Sequence, residues 1–198
     1  HPLQNRVIQS AYPPGSVFKL AVAGCALARS DITPSTSFYC PGRYRLGNGV
    51  FRCWRRQGHG KLQMREAIAR SCDVYFYNLG EQLGISTLSQ FCTEIGFGRP
   101  TGIRLPNEKS GLIPDKEWKL RRFGQPWQGG ETVITAIGQG YTTSTPLQIA
   151  RFISALINGG HLLQPQLERD ISPQEQGRLP MADKNREFLR QAMIHTVE

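Results

Sequence analysis

Between Ser16 and Arg29 the sequence SVFKLAVAGCALAR is apolar on nearly every side of a helix. A helix without a polar face belongs inside a domain, wrapped by other elements. Pro13, Pro14 and Gly15 forbid helix before it and set its start at Ser16. With 198 residues the chain supplies enough material for one good-sized domain, or a large piece of one, to bury it. One charged side chain interrupts the apolar run: Lys19, a turn after Ser16.

The remaining sequence supplies the wrapping. Helical periodicity is expected from Leu62 to Ala69, from Val74 to Leu83, and from Ser86 to Ile95, where Gly96 closes it. A further helix follows Pro146 as LQIARFISALI and stops at Gly159 and Gly160. Residues 30–60 carry Pro34, Pro41, Gly42, Gly47, Gly49, Gly58 and Gly60, and read as an irregular excursion that needs something to order it. Little strand is expected. His161 reads as a loop residue, and Trp54, Trp118 and Trp127 as rings packed over loops.

Composition narrows the function classes. No apolar run approaches the roughly 18 residues of a membrane span, so any anchor is expected outside this sequence. The start at His1 and the end at Glu198, inside what reads as a helix (NREFLRQAMIHTVE), mark an excerpt of a longer parent. A net charge of +9 favours anionic partners. Nucleic acid is not expected among them, because the arginines and lysines are spread thinly and no nucleic-acid-binding pattern accompanies them. Gly138-Gln139-Gly140 is no phosphate loop, since no lysine follows at the required distance.

Two short motifs carry chemistry. Ser16-Val17-Phe18-Lys19 sets a hydroxyl at a helix start and an amine one turn on, along the same face. A serine hydroxyl attacks a carbonyl only when a base takes its proton, and a helix start offers N–H groups to a developing oxyanion. A plain reading remains: Ser16 caps the helix and Lys19 reaches solvent. Ser71-Cys72-Asp73 adds a second hydroxyl and a carboxylate between two helices, where Ser71 alone reads as the cap of the next helix and Asp73 as a first-turn acid. Together they match the S-x-x-K and S-x-[ND] walls of serine acyl-transfer enzymes. Separately, Cys40, Cys53, His59 and Cys72 are spaced C-x12-C-x5-H-x12-C. Residue chemistry leaves three readings open: a Cys40–Cys53 disulfide, unpaired buried thiols, or a tetrahedral zinc site. Cys25 and Cys92 read as core cysteines on helices.

The stretches AYPPGSVFK, FRCWRRQGHG, SCDVYFYNLG and IGQGYTTSTPLQIA resemble the transpeptidase domain of class B penicillin-binding proteins, above all the branch that serves cell elongation. The resemblance runs from about Asn5 to Pro165. It implies an α+β fold of the penicillin-binding transpeptidase and serine β-lactamase type, of which this piece is mainly the α-helical part, with much of the central sheet missing. It implies a peptidoglycan D,D-transpeptidase that cross-links stem peptides through an acyl-serine intermediate and is inhibited by β-lactams. Ser16 is then the nucleophile, Lys19 the base that deprotonates it, Ser71 the proton relay to the departing amine, and Asp73 the group that positions Lys19 and Ser71. No cofactor is implied for catalysis. A structural zinc on Cys40, Cys53, His59 and Cys72 is implied. So are a place at the periplasmic face of the bacterial inner membrane, an N-terminal anchor beyond this chain, and elongation-complex membrane partners including a glycosyltransferase.

The third wall of that family, K-[ST]-G on a strand, is expected beyond this sequence. Lys109-Ser110-Gly111 fits the letters, but it stands 36 residues after Asp73, ahead of the GQG segment, and Pro114 follows where a strand is wanted. The piece alone is therefore expected neither to turn over substrate nor to bind penicillin well. Two alternatives stand beside the transpeptidase: a serine β-lactamase or β-lactam-sensing domain, and a non-catalytic scaffold of the elongation complex.

Overall fold

The computed structural model describes residues 3–29 and 31–197. His1, Ser30 and Glu198, used above to mark the chain's ends and the start of the excursion, lie outside the described residues. After a short α1 (Arg6–Gln9), the chain turns through Pro13-Pro14 into one 3-10 turn, Gly15–Phe18, and then α2, Lys19–Leu27. The predicted helix from Ser16 is thus a tight turn followed by α-helix. Every residue of α2 is buried, Lys19 included. The helix lies against α4 and α8, whose ranges are given below, and it is the axis of the core, as its all-round apolar surface requires.

The excursion is not irregular. Its strands are β1 (Ser37–Cys40), β2 (Arg43–Leu46), β3 (Gly49–Arg52) and β4 (Gly60–Gln63), forming two antiparallel pairs, β1 with β4 and β2 with β3. Leu62 therefore belongs to a strand, and α3 begins two residues later as Met64–Ala69. The two helices expected from Val74 and Ser86 join as α4, Asp73–Glu94, broken at Gly84, whose φ of +70° only glycine adopts freely. The order continues through α5 (Lys116–Phe123), α6 (Gly129–Thr135), α7 (Pro146–Ile157), β5 (His161–Leu163), β6 (Glu175–Arg178) and α8 (Asp183–Ile194). His161 is a strand residue, bonded to Glu175 of β6. The last helix stops at Ile194, short of the end expected for it.

Sequence signals account for the best-formed boundary. Pro146 takes the first position of α7, where its missing N–H costs nothing. Thr145 and Gln148 form a reciprocal capping box, and the Gln148 side chain also donates to the carbonyls of Arg99 and Ser110. That last bond holds Lys109-Ser110-Gly111 against the start of α7. Gly111 is followed by an isolated bridge from Leu112 to Thr143 rather than a strand, so this triplet does not form the third wall.

Candidate active site and metal centre

Ser16 sits on a turn fixed by backbone contacts. The Gly15 N–H donates to Gly138 O at 2.9 Å, and Tyr12 pairs with Ser144. Gly138 has φ +69°, and a Cβ there would stand 2.3 Å from Gly15 O. The GQG segment is the close backbone support of this turn, which explains its glycine without any phosphate. Ser16 itself is exposed.

One turn on, Lys19 is 2% exposed and carries its Nζ to three oxygens: Ser71 O at 2.9 Å, Ser71 Oγ at 3.0 Å and Asp73 Oδ1 at 2.6 Å. Ser71 Oγ lies 2.9 Å from Ser16 Oγ. The four residues from the two motifs thus form one unbroken chain of hydrogen bonds. A buried ammonium is costly unless paired, and these oxygens match the three donors of a lysine. Lys19 does not reach solvent.

Ser71 is held in an unusual backbone state. Its φ is +50°, the left-handed region that costs a side chain of this kind about 1 kcal/mol or more. The cause is the end of α3: Ser71 N bonds Ile68 O and Cys72 N bonds Ala67 O, a helix-terminating turn that a glycine more often occupies. Ser71 does not cap the next helix. Cys72 takes that position, with no side-chain bond, and Asp73 opens the first turn of α4.

Trp54 locks the junction from outside, a role its sequence context did not reveal. Its main-chain N–H donates to Asp73 Oδ2 at 2.9 Å, and its indole N–H to the carbonyls of Arg70 and Ser71, each at 3.1 Å. The ring is 63% exposed, so these bonds rather than burial hold it. The one sequence signal is adjacency to Cys53. Trp118 instead stacks with Phe123 and Tyr141, and Trp127 bonds Thr132 Oγ1.

Beside the two serines opens a mainly apolar cavity of about 290 Å³, lined by Ser16, Val17, Leu20, Ile68, Ser71 and Met193 among others. A larger groove of about 620 Å³ along α4, lined by Glu94, Arg99, Asp115 and Arg178 among others, shares none of these residues.

The four candidate metal ligands converge. The donor atoms of Cys40, Cys53, His59 and Cys72 all lie within 4.8 Å of one another. His59 Nδ1 stands 3.6 Å from the sulfurs of both Cys40 and Cys53. A tetrahedral ion with bonds of about 2.3 Å to sulfur and 2.0–2.1 Å to nitrogen sets the S···N edge at about 3.6 Å, so the donor set fits zinc. No disulfide joins Cys40 to Cys53; the five thiols are free. Burial first, and then the neighbouring Cys40 and Cys53, push the Cys72 thiol well above its ordinary range. His59 is lowered, by burial first and then by Arg55 and Arg70. Cys25 and Cys92 are buried on α2 and α4; burial raises Cys25 to about 12.

Residues 1–198 match the family described as penicillin binding protein transpeptidase domain. Among curated proteins, peptidoglycan D,D-transpeptidase MrdA of Haemophilus influenzae is 42% identical over 172 residues, which is 86% of this chain and 26% of that protein. MrdA of Escherichia coli K12 is 40% identical over 168 residues, 84% of this chain and 26% of that protein. The chain spans about a quarter of the length of these relatives. Among solved structures, the complex of PBP2 with MreC from Helicobacter pylori aligns with a TM-score of 0.89 at 39% identity, covering 98% of this chain and 36% of the other. Pseudomonas aeruginosa PBP2 in complex with WCK 5153 gives a TM-score of 0.89 at 37% identity, covering 98% and 45%. With its S-x-x-K and S-x-D residues joined in one hydrogen-bonded chain inside an α+β fold, this chain belongs to the penicillin-binding protein transpeptidase family.

Proposed function

We propose that the chain is the two-walled, largely helical part of a peptidoglycan D,D-transpeptidase, and that its parent cross-links stem peptides through an acyl-serine. The observation that carries this is the run Ser16 Oγ, Ser71 Oγ, Lys19 Nζ, Asp73 Oδ1, with Lys19 buried. Attack needs one proton fewer on Lys19 than the paired ammonium carries; that proton passes to solvent first, and the Ser16 and Ser71 hydroxyls then rotate to donate towards Lys19. Two N–H bonds stay on Ser71 O and Asp73, and the lone pair faces Ser71 Oγ. As Ser16 Oγ bonds to the substrate carbonyl carbon, its proton passes to Ser71 Oγ while Ser71 gives its own to Lys19. The carbonyl π-electrons move onto oxygen, beside the N–H groups of the 3-10 turn. The peptide C–N bond then breaks, and the departing D-alanine amine takes the proton back from Lys19 through Ser71. Asp73 balances the lysine charge and, through Trp54, is itself fixed.

The cysteine and histidine cluster is proposed to hold one structural zinc. Held by Cys40, Cys53, His59 and Cys72, a zinc ion would supply cross-linking rather than a reacting water. Cys72 lies between Ser71 and Asp73, so the metal loop and the reacting residues share one backbone segment.

The same reading takes in stem peptides, β-lactams and elongation-complex proteins as partners, at the periplasmic face of the inner membrane; the solved complex of a related PBP2 with MreC supports the membrane-complex part of it. No helix among the described residues is long and apolar enough to cross a membrane. The third wall is assigned to the parent outside residues 1–198. The test is D-alanine release from a pentapeptide stem by the full-length parent. Ser16→Ala should abolish release; release that persists in this variant sinks the reading. A chain that hydrolyses penicillin rapidly instead of remaining acylated is the β-lactamase alternative.

A further inference from the structure

The β2–β3 hairpin has two faces of opposite character. Tyr44 and Phe51, paired in register, turn inward onto Tyr77 of α4, each with its ring centroid 5.9 Å away. Strand alternation sends Arg43, Arg45 and Arg52 to the opposite, exposed face. Arg43 stands directly across from Arg52. Like charges in that position weaken strand pairing. No carboxylate among the described residues pairs with these three guanidiniums, or with those of Arg55 and Arg56 that follow.

The face is rigid. A Cβ on Gly42 would fall 2.0 Å from Arg56 O, and one on Gly58 2.2 Å from Cys40 O. Cys53 N–H donates to Gly42 O and His59 N–H to Cys40 O, both at 3.0 Å. The turn that carries Arg56 is therefore joined to the start of β2. Arg43, Arg52 and Arg56, with Pro41 and Gly42, line a cleft of about 250 Å³. The hairpin lies between Cys40 and Cys53 in the chain, so the cysteine and histidine cluster sits at its root.

We propose that this cationic face binds a polymer with closely spaced carboxylates; resting on the function proposed above, that polymer is the wall strand, gripped by its stem-peptide carboxylates away from the reacting bond. A guanidinium places two N–H bonds on one carboxylate, and three around one cleft hold its plane while their neighbours take the next. Position selects the wall strand over a lipid surface. Arg52 and Arg55 flank Cys53 and Trp54 in the chain, and the N–H groups of Trp54 rest on Asp73 and on the carbonyl of Ser71, so the arginine face is anchored by the residue that fixes the acyl-transfer centre.

The test uses the full-length parent and purified uncross-linked wall strands. The variant combines Arg43→Gln, Arg52→Gln and Arg56→Gln, with Arg52→Glu alone as a second variant; thermal unfolding confirms that both fold. Strand binding near physiological salt should weaken roughly ten-fold in the triple variant, with a flatter dependence on ionic strength. Strand binding equal to wild type overturns the proposal. So does loss of binding to phosphatidylglycerol vesicles while strand binding holds, which would make the face a membrane contact. A wild-type protein that binds strands through these arginines yet is never acylated by penicillin leaves this site standing and overturns the functional reading instead.

Discussion

The junction of α2 with α4 and the excursion of residues 31–63 meet at one short segment, Ser71 to Asp73, yet they are held by different forces. Around α2, apolar burial is complete, and the one ammonium inside it has three oxygen acceptors. The excursion has four-residue strands, each with at most one buried residue. What it has instead are four converging cysteine and histidine side chains, and glycines that let backbones touch. On the function proposed above, the first region positions reacting groups by packing and the second is tied together by a bound ion, with Trp54 as the seam between them. Treatments aimed at one should therefore spare the other until they reach Trp54.

The largest separation comes from removing the partner of Lys19. Asp73→Ala leaves a buried ammonium short of its countercharge, and breaking such a pair costs about 3–5 kcal/mol. Chemical denaturation of the parent should show that loss, with the metal content unchanged; a loss below about 1 kcal/mol would mean that the pair behaves as a surface ion pair. Next is metal removal. A chelator should speed amide exchange across residues 37–63 at least about ten-fold while α2 stays protected. Equal acceleration in both regions would erase the distinction drawn between them.

Two smaller effects probe the seam. Trp54→Phe keeps a ring beside His59 but loses the indole donor to Arg70 O and Ser71 O. Acylation by penicillin should slow by about five-fold, the worth of roughly one hydrogen bond, with substrate affinity unchanged; an altered affinity with an unaltered rate would assign Trp54 to binding. Acidification should act on His59, whose folded-state value is lowered by burial and nearby arginines. Below about pH 6.5 the unfolded chain takes up a proton that the folded one resists, so stability falls as pH drops through that value. Protonation also removes a ligand, so excursion exchange should rise in the same range, and His59→Ala should flatten the dependence.

How much was legible follows the same division. The buried α2, the break after Pro-Pro-Gly and the helix after Pro146 were readable because each rests on local rules carried by many residues. The four catalytic candidates were readable as motifs and were brought together by the fold. The strands of the excursion were not, since alternation over four residues with Pro and Gly between them leaves no period to detect. His161 was missed for the same reason: β5 has three residues and its partner is more than ten positions away. Whether Cys40 and Cys53 pair with each other or gather with His59 and Cys72 is a matter of tertiary convergence, which spacing does not contain. Trp54 was misread because its bonds depend on the left-handed turn at Ser71, which no propensity assigns to a serine.

Ser16 Oγ is proposed as the acylated end of the hydrogen-bonded run through Ser71 to Lys19. The direct measurement is peptide-mapped mass spectrometry of the full-length parent after incubation with benzylpenicillin. One intact penicilloyl adduct on Ser16, absent from Ser16→Ala and strongly reduced in Lys19→Ala, is the predicted result. An adduct on Ser71 or elsewhere, or none while the third wall is present, would contradict it.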